Sequence, residues 1–222
     1  MREVVGRLQP LLRRHGFRKQ RHAFARDLAQ GLTHAVVFEM GRCEPHPDRQ
    51  PGPYYGSFRV ECGVHVDAVG ELYGDPKPRF VRPADCHLRT WAGALLSGED
   101  SWWTLDQPVE DLAEGMTQPL AEVIRPWLDG LVSIDAIVEA RQHGRLGGVL
   151  ASEVTFGLLD YARGDRAPAA RTLRSELART QNRRAAERIV ALGRRLGLGL
   201  SMDDAAIVTL LAAERDPREP GG

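Results

Sequence analysis

The sequence predicts an α+β fold, with an N-terminal helix and an antiparallel sheet followed by an all-helical C-terminal extension. Three observations carry that prediction. In 56–67, Phe58, Val60, Cys62, Val64 and Val66 alternate with Ser57, Arg59, Glu61, His65 and Asp67. Successive strand side chains point to opposite faces, so this is a strand with one apolar and one charged face. A one-residue slip would bury two carboxylates and an arginine, which fixes its register. Ahead of it, Val4, Val5, Leu8, Leu11 and Leu12 recur at three- and four-residue steps, the mark of a helix with one apolar side. Beyond residue 134 the spacing is helical throughout.

The elements follow in order. Pro10 interrupts the first helix, which is either kinked or starts at about Leu8. Gly16 ends it, with Arg13, Arg14 and His15 placed against the negative end of its dipole. Residues 17–28 and 32–40 read as a hairpin around the turn Ala29-Gln30-Gly31. Prolines crowd 42–53, a loop. After the organising strand, 69–73 reads as one helical turn, and Asp75-Pro76-Lys77-Pro78 excludes regular structure. Phe80-Val81-Arg82 reads as a short edge strand. In 86–91, Cys86, Leu88 and Thr90 alternate with His87, Arg89 and Trp91. Paired beside the organising strand, Cys86 and Leu88 would join the core, and His87 and Arg89 would join Arg59, Glu61 and His65 on the other face. Of the adjacent Trp102 and Trp103, one packs and the other stays partly exposed.

Helical spacing returns over 109–131, punctuated by Pro119 and Pro126, which implies two short helices or one broken one. A boundary at Gly130 and Ser133 gives an α+β domain over 1–131, a helical extension over 132–214 and a disordered tail over 215–222. The extension reads as helices at 134–142, 149–163, 167–180 and 183–196, with a last one capped from Ser201 through Asp204. Gly157, Gly164, Ala169 and Leu173 fall at spacings similar to those of one tetratricopeptide repeat, and a single repeat cannot bury its own face.

The basic first helix, then "HGFRKQRHAFAR", "FRVECGVHV", "ADCHLRTWAGALL" and "DSWWTL" occur in that order. Together they resemble a family of bacterial domains known as domain of unknown function 4304 (DUF4304). The resemblance spans about the first 130 residues; its specific parts are the "GFRK" start, the "CHLR" run and the "WW" pair. It implies an α+β domain on an antiparallel sheet and brings no activity, cofactor or catalytic residue. The proline-rich 42–53 and Trp91, at a position where a basic residue is expected, depart from the pattern.

Charge is balanced overall but segregated along the chain. Residues 1–26 carry eight basic side chains and a single acid, Glu3, whereas 99–129 carry eight acids against Arg125 alone. Such segregation suits either a nucleic-acid surface or segments that face each other within one fold. The basic stretches lack interleaved aromatics for stacking on bases, which makes nucleic acid the weaker choice. No apolar run approaches the roughly 20 residues of a membrane span, and no export signal is evident. Cys43, Cys62 and Cys86 lack a disulfide spacing and read as reduced thiols of a cytoplasmic protein.

Cys43/His46, Cys62/His65 and Cys86/His87 suggest a Cys/His metal site. Positions i and i+3 of a strand face opposite ways, so Cys62 and His65 cannot share an ion, and no metal or cofactor is expected. No nucleophile elbow, zinc-protease pair or phosphate loop occurs. What is left is the polar sheet face: Arg59, Glu61, His65, His87 and Arg89, bordered by Trp102. The reading is a non-catalytic binding or protein-interaction module, an adaptor or a toxin-neutralising protein. One alternative is an enzyme using His65 or His87 as acid–base on an anionic small molecule. A second is nucleic-acid binding through the arginine-rich segments.

Overall fold

The computed structural model describes residues 1–41 and 54–202. The loop 42–53 with Cys43 and His46, the expected last helix and the tail 215–222 lie outside the described residues. The chain divides into two compact units: Met1–Gly70 with Asp75–Ala151, and Glu71–Gly74 with the chain from Ser152 onward.

Helix α1 runs over Arg2–Arg14 with Pro10 inside it, so its start is not delayed to Leu8. The carbonyl that Pro10 cannot pair with belongs to Gly6, one turn earlier, and both residues are exposed to solvent. The 17–28 stretch is two strands, β1 (Arg18–Gln20) and β2 (Ala23–Leu28), folded on each other about Arg21-His22. Strands β3 (Leu32–Met40) and β4 (Ser57–Val66) form the centre of the sheet, with Gly31 at φ 68° in the β2–β3 turn. Helix α2 (Asp67–Tyr73) follows. Strand β5 (Leu88–Trp91) and the two-residue β6 (Trp103–Thr104) both pair with β4, on either side of helix α3 (Ala92–Leu96). The sheet is antiparallel throughout, in the order β1-β2-β3-β4-β5 with β6 also on β4.

Residues 80–82 form no strand; they lead into a tight turn at Pro83–Asp85, where Asp85 closes on the Arg82 N–H (2.9 Å). Proline at 83 supplies the fixed φ and lacks the N–H that a strand would need. Helix α4 (Val109–Pro119) continues through a wide π-type turn at Leu120–Ile124 into α5 (Arg125–Asp129). The two prolines therefore bracket a distortion of one helix. Helix α6 (Ile134–Gln142) is capped by Ser133, whose hydroxyl accepts from the Ala136 N–H (3.0 Å).

The core lies on the sheet face that carries Phe24, Leu32, Val36, Phe38, Phe58, Val60, Cys62, Val64 and Leu88. All are buried, together with Val4, Val5, Leu8 and Leu12 of α1, Leu112 and Met116 of α4, and Leu128 of α5. One histidine sits among them. His34 is fully buried, its Nε2–H donating to the Leu131 carbonyl (3.0 Å) while Nδ1 accepts from the Arg26 guanidinium (3.1 Å). A guanidinium only donates, so His34 is the neutral Nε2–H tautomer. Burial, offset in part by the Leu131 bond, holds its pKa down at about 4. The outer edge of β5 is bridged by Leu150, which exchanges two backbone hydrogen bonds with Arg89 (3.1 and 2.6 Å).

The second unit holds helices α7 (Glu153–Ala162), α8 (Arg166–Arg179) and α9 (Arg183–Arg195). Gly157 lets α7 approach α8, since a Cβ there would stand 3.2 Å from Leu173 Cγ. Leu158, Leu173 and Ala186 are buried. Arg166 closes the unit by donating to the carbonyls of Leu196 and Gly197 (3.0 and 2.9 Å). Among the described residues, no helix is long and apolar enough to cross a membrane.

Candidate functional site

Directly paired residues of an antiparallel ladder share a face, so the register assembles the second side of the sheet. Arg59 pairs with Glu39, Glu61 with Val37 and Trp91, Gly63 with Ala35 and Arg89, and His65 with Thr33. His87, just before β5, continues the series beside His65 through its N–H bond to the Val64 carbonyl (3.0 Å). The five charged or imidazole residues singled out in the sequence thus lie on one face.

That face is not a solvated surface, contrary to its charged composition. Glu61 is 8% exposed and His65 4% exposed. The chain segment 81–86 lies down on it, and Ala35, Val81 and Cys86 form a small buried cluster. Gly63 makes this possible: a Cβ there would stand 2.7 Å from Cys86 Cβ and 2.6 Å from the Leu88 carbonyl oxygen. Cys86 is therefore buried on this face, not with Cys62 in the main core. Both thiols are held protonated, first by burial.

Cys86 divides the face into two clusters. The first is the imidazole pair, with ring centroids 4.7 Å apart. His65 Nδ1 bonds the Asp85 carbonyl (2.8 Å), and its Nε2 lies 3.6 Å from Asp67 Oδ1 with no hydrogen-bond partner among the described residues. His87 Nδ1 accepts the Val66 N–H (3.0 Å). Burial, and then the neighbouring His65, lower its pKa to about 4 against the pull of Asp75 and Asp67.

The second cluster is built on Arg59. Its guanidinium donates to Glu39 Oε2 (3.0 and 3.1 Å) and lies 3.5 Å from Asp100 Oδ2. It is sandwiched between indoles, 4.9 Å from the Trp91 centroid and 5.1 Å from that of Trp102. Trp102 donates to Asp100 (3.0 Å) and stacks on Tyr54 at 4.4 Å. Trp103, one residue on, crosses to the core side and stacks on Phe58 at 5.9 Å. Both tryptophans are half-buried. Glu61 sits alongside, 3.5 Å from Arg89, and burial outweighs that pairing to raise its pKa. The outermost member is Tyr54, 46% exposed, and Tyr55 next to it in the chain is 52% exposed.

Glu39, Tyr54 and Asp100 complete the Arg59 cluster and escaped the sequence reading, and Trp91, which alternation put in line with His87 and Arg89, was not singled out as a site residue. Only the β3–β4–β5 register and the β6 pairing bring them to Arg59. Cys62 and His65 face opposite sides of β4, and among the described residues no three His, Cys, Asp or Glu side chains converge to hold a metal ion.

The family model of DUF4304, a domain of unknown function, matches residues 8–130. No curated protein and no solved structure matches the chain.

Proposed function

This chain belongs to the DUF4304 family, and on that footing we propose that it is a non-catalytic binding module that takes a protein partner on the aromatic edge of its sheet. The observation that carries this reading is the stack Tyr54–Trp102–Arg59–Trp91, whose inner members are locked and whose outer ring is exposed. Aromatic rings held rigid by their neighbours lose little conformational entropy when covered, and such residues dominate binding energy at protein interfaces. Arg59 acts here as a post. Its two carboxylate partners and two indoles leave it no freedom to reach a ligand, so it presents Trp102 and Tyr54. An adaptor or toxin-neutralising role fits such an edge, and a bacterial, cytoplasmic setting fits the two free buried thiols.

The enzymatic alternative rests on the His65–His87 pair. His65 is buried, and His87 spends its lone pair on the Val66 N–H, so neither offers a free base to a substrate.

The test is capture from a lysate by wild type, by a Tyr54→Ala/Tyr55→Ala variant and by Arg89→Ala. A stoichiometric protein held by wild type and by Arg89→Ala but lost by the tyrosine variant supports the aromatic edge. Equal capture by all three removes it as the interface, and no capture by any removes the protein-binding reading.

A further inference from the structure

Several cations of the first unit that carry no counter-ion gather in one place. A cleft of about 710 Å³ opens between α1 and the β1–β2 turn, lined by Arg2, Gln9, Arg13, Lys19, Arg21 and His22. At 3.6 residues per turn, positions 2, 9 and 13 fall on one stripe of α1, beside the stripe of Val4, Val5, Leu8 and Leu12 that is buried against the sheet. The turn supplies the opposite wall, and Lys19 Nζ ties the two together by donating to Gln9 Oε1 (3.1 Å).

Among the described residues no acid lines this cleft. Five other arginines of the unit are paired: Arg7 with Glu110, Arg18 with Asp27, Arg26 with Asp129, Arg59 with Glu39 and Arg89 with Glu61. Arg2, Arg13, Lys19 and Arg21 make no ion pair among the described residues. Of the eight cations in the first 26 residues, Arg7, Arg18 and Arg26 are paired outside the cleft, Arg2, Arg13, Lys19 and Arg21 lie unpaired along it, and Arg14, unpaired among the described residues, stands away from it. Like charges brought together repel, and nothing in the core requires them here.

Arg21 adds an independent sign. It is the one non-glycine described residue with positive φ, at 55°. That left-handed backbone suits glycine and is unfavourable for a side-chain-bearing residue. Retaining arginine there keeps a guanidinium at the cleft at the expense of local strain, a feature that points to function.

The volume lies within the roughly 300–1,000 Å³ of small-ligand sites. None of the lining residues is a Trp, Tyr or Phe that could stack on a nucleobase. Guanidinium forks bind phosphate oxygens in pairs, and an ammonium adds a point charge between them. We infer that this cleft binds a compact anion bearing two or more phosphate groups. The inference is independent of the aromatic edge, which shares none of its residues.

The experiment is calorimetric titration of the full chain with inorganic triphosphate and with orthophosphate at one salt concentration. Triphosphate is expected to bind at least about tenfold tighter than orthophosphate, because it engages several cations at once. Arg13→Gln and Lys19→Gln, exposed or half-exposed residues without acid partners, are each expected to weaken triphosphate about tenfold. Arg7→Gln, whose charge is spent on Glu110, leaves it unchanged. Arg21→Gly separates ligand binding from structure: thermal stability holds or rises as the strain is released, while affinity falls. Equal binding of the two phosphates, no binding, or wild-type affinity in Arg13→Gln and Lys19→Gln overturns the proposal. So does a short DNA duplex that displaces triphosphate, binds at least about tenfold tighter and weakens steeply with salt; the surface would then be one for nucleic acid.

Discussion

His87 receives the backbone N–H of Val66 on its Nδ1 at 3.0 Å, directly against the ring of His65. An imidazole that accepts at one nitrogen is neutral, and protonating it forfeits that bond. His34 is fixed in the same way by Arg26 on the opposite face. The two histidines make acid the weak side of this fold.

Both titrate near 6.5 in the unfolded chain and near 4 when folded. Between those values the unfolded state binds more protons, so stability is full above about pH 6.5 and falls as pH drops toward 4. For fully buried His34 the loss is on the order of 3 kcal/mol. Urea unfolding at a series of pH values, with NMR titration of the imidazoles, checks this. A His34 midpoint at or above 6 contradicts it.

Gly63→Ala is expected to destabilise by about 1–3 kcal/mol. The added methyl meets Cys86 Cβ at 2.7 Å and the Leu88 carbonyl at 2.6 Å, and the latter is backbone of the neighbouring strand. Chemical denaturation measures it; wild-type stability would mean that 81–86 does not press on the sheet.

Alternation along β4 was enough to place Arg59, Glu61 and His65 on one face, and alternation before and along β5 did the same for His87 and Arg89. The burial of Glu61 and His65 was not legible, because it depends on one missing side chain, at Gly63, meeting Cys86 of a segment far along the chain. Nothing local in the sequence marks Cys86 as the lid of that face. The Arg59 cluster was half legible for a related reason. Trp102 was evident as one of two adjacent tryptophans, whereas Glu39 and Asp100 reach Arg59, and Tyr54 reaches Trp102, only once separate parts of the chain are brought together. Pro10 shows the opposite kind of error: a strong local breaker was overruled by four buried side chains on the same helix.

Glycine precedes proline by four residues in α1 (Gly6, Pro10) and in α4 (Gly115, Pro119), and a Cβ on either glycine meets nothing within 4 Å. Gly6→Ala is expected to stabilise by about 0.5–1 kcal/mol and Pro10→Ala by about 1–2 kcal/mol, each reducing a helix-interior penalty. Thermal unfolding reads both. A fall in melting temperature for Pro10→Ala would show that the proline is needed where it stands.

Cys62 and Cys86, buried and held as thiols, are expected to resist alkylation in the native protein and to react once it is unfolded. Mass mapping after brief iodoacetamide treatment distinguishes the two states, and native labelling of Cys62 would contradict the burial of the core face.

The bridge from Arg89 to Leu150 has a practical side. The family match ends at residue 130, yet the compact unit runs to Ala151, where the last stretch stoppers the open rim of β5. A fragment cut at the family boundary would lose that stopper, along with the Leu131 carbonyl that holds His34 and the Leu146 carbonyl that receives Trp127 (3.1 Å). Its bare strand edge would be a template for pairing with another copy. An expression clone of the domain should therefore carry residues 131–151, which supply these contacts.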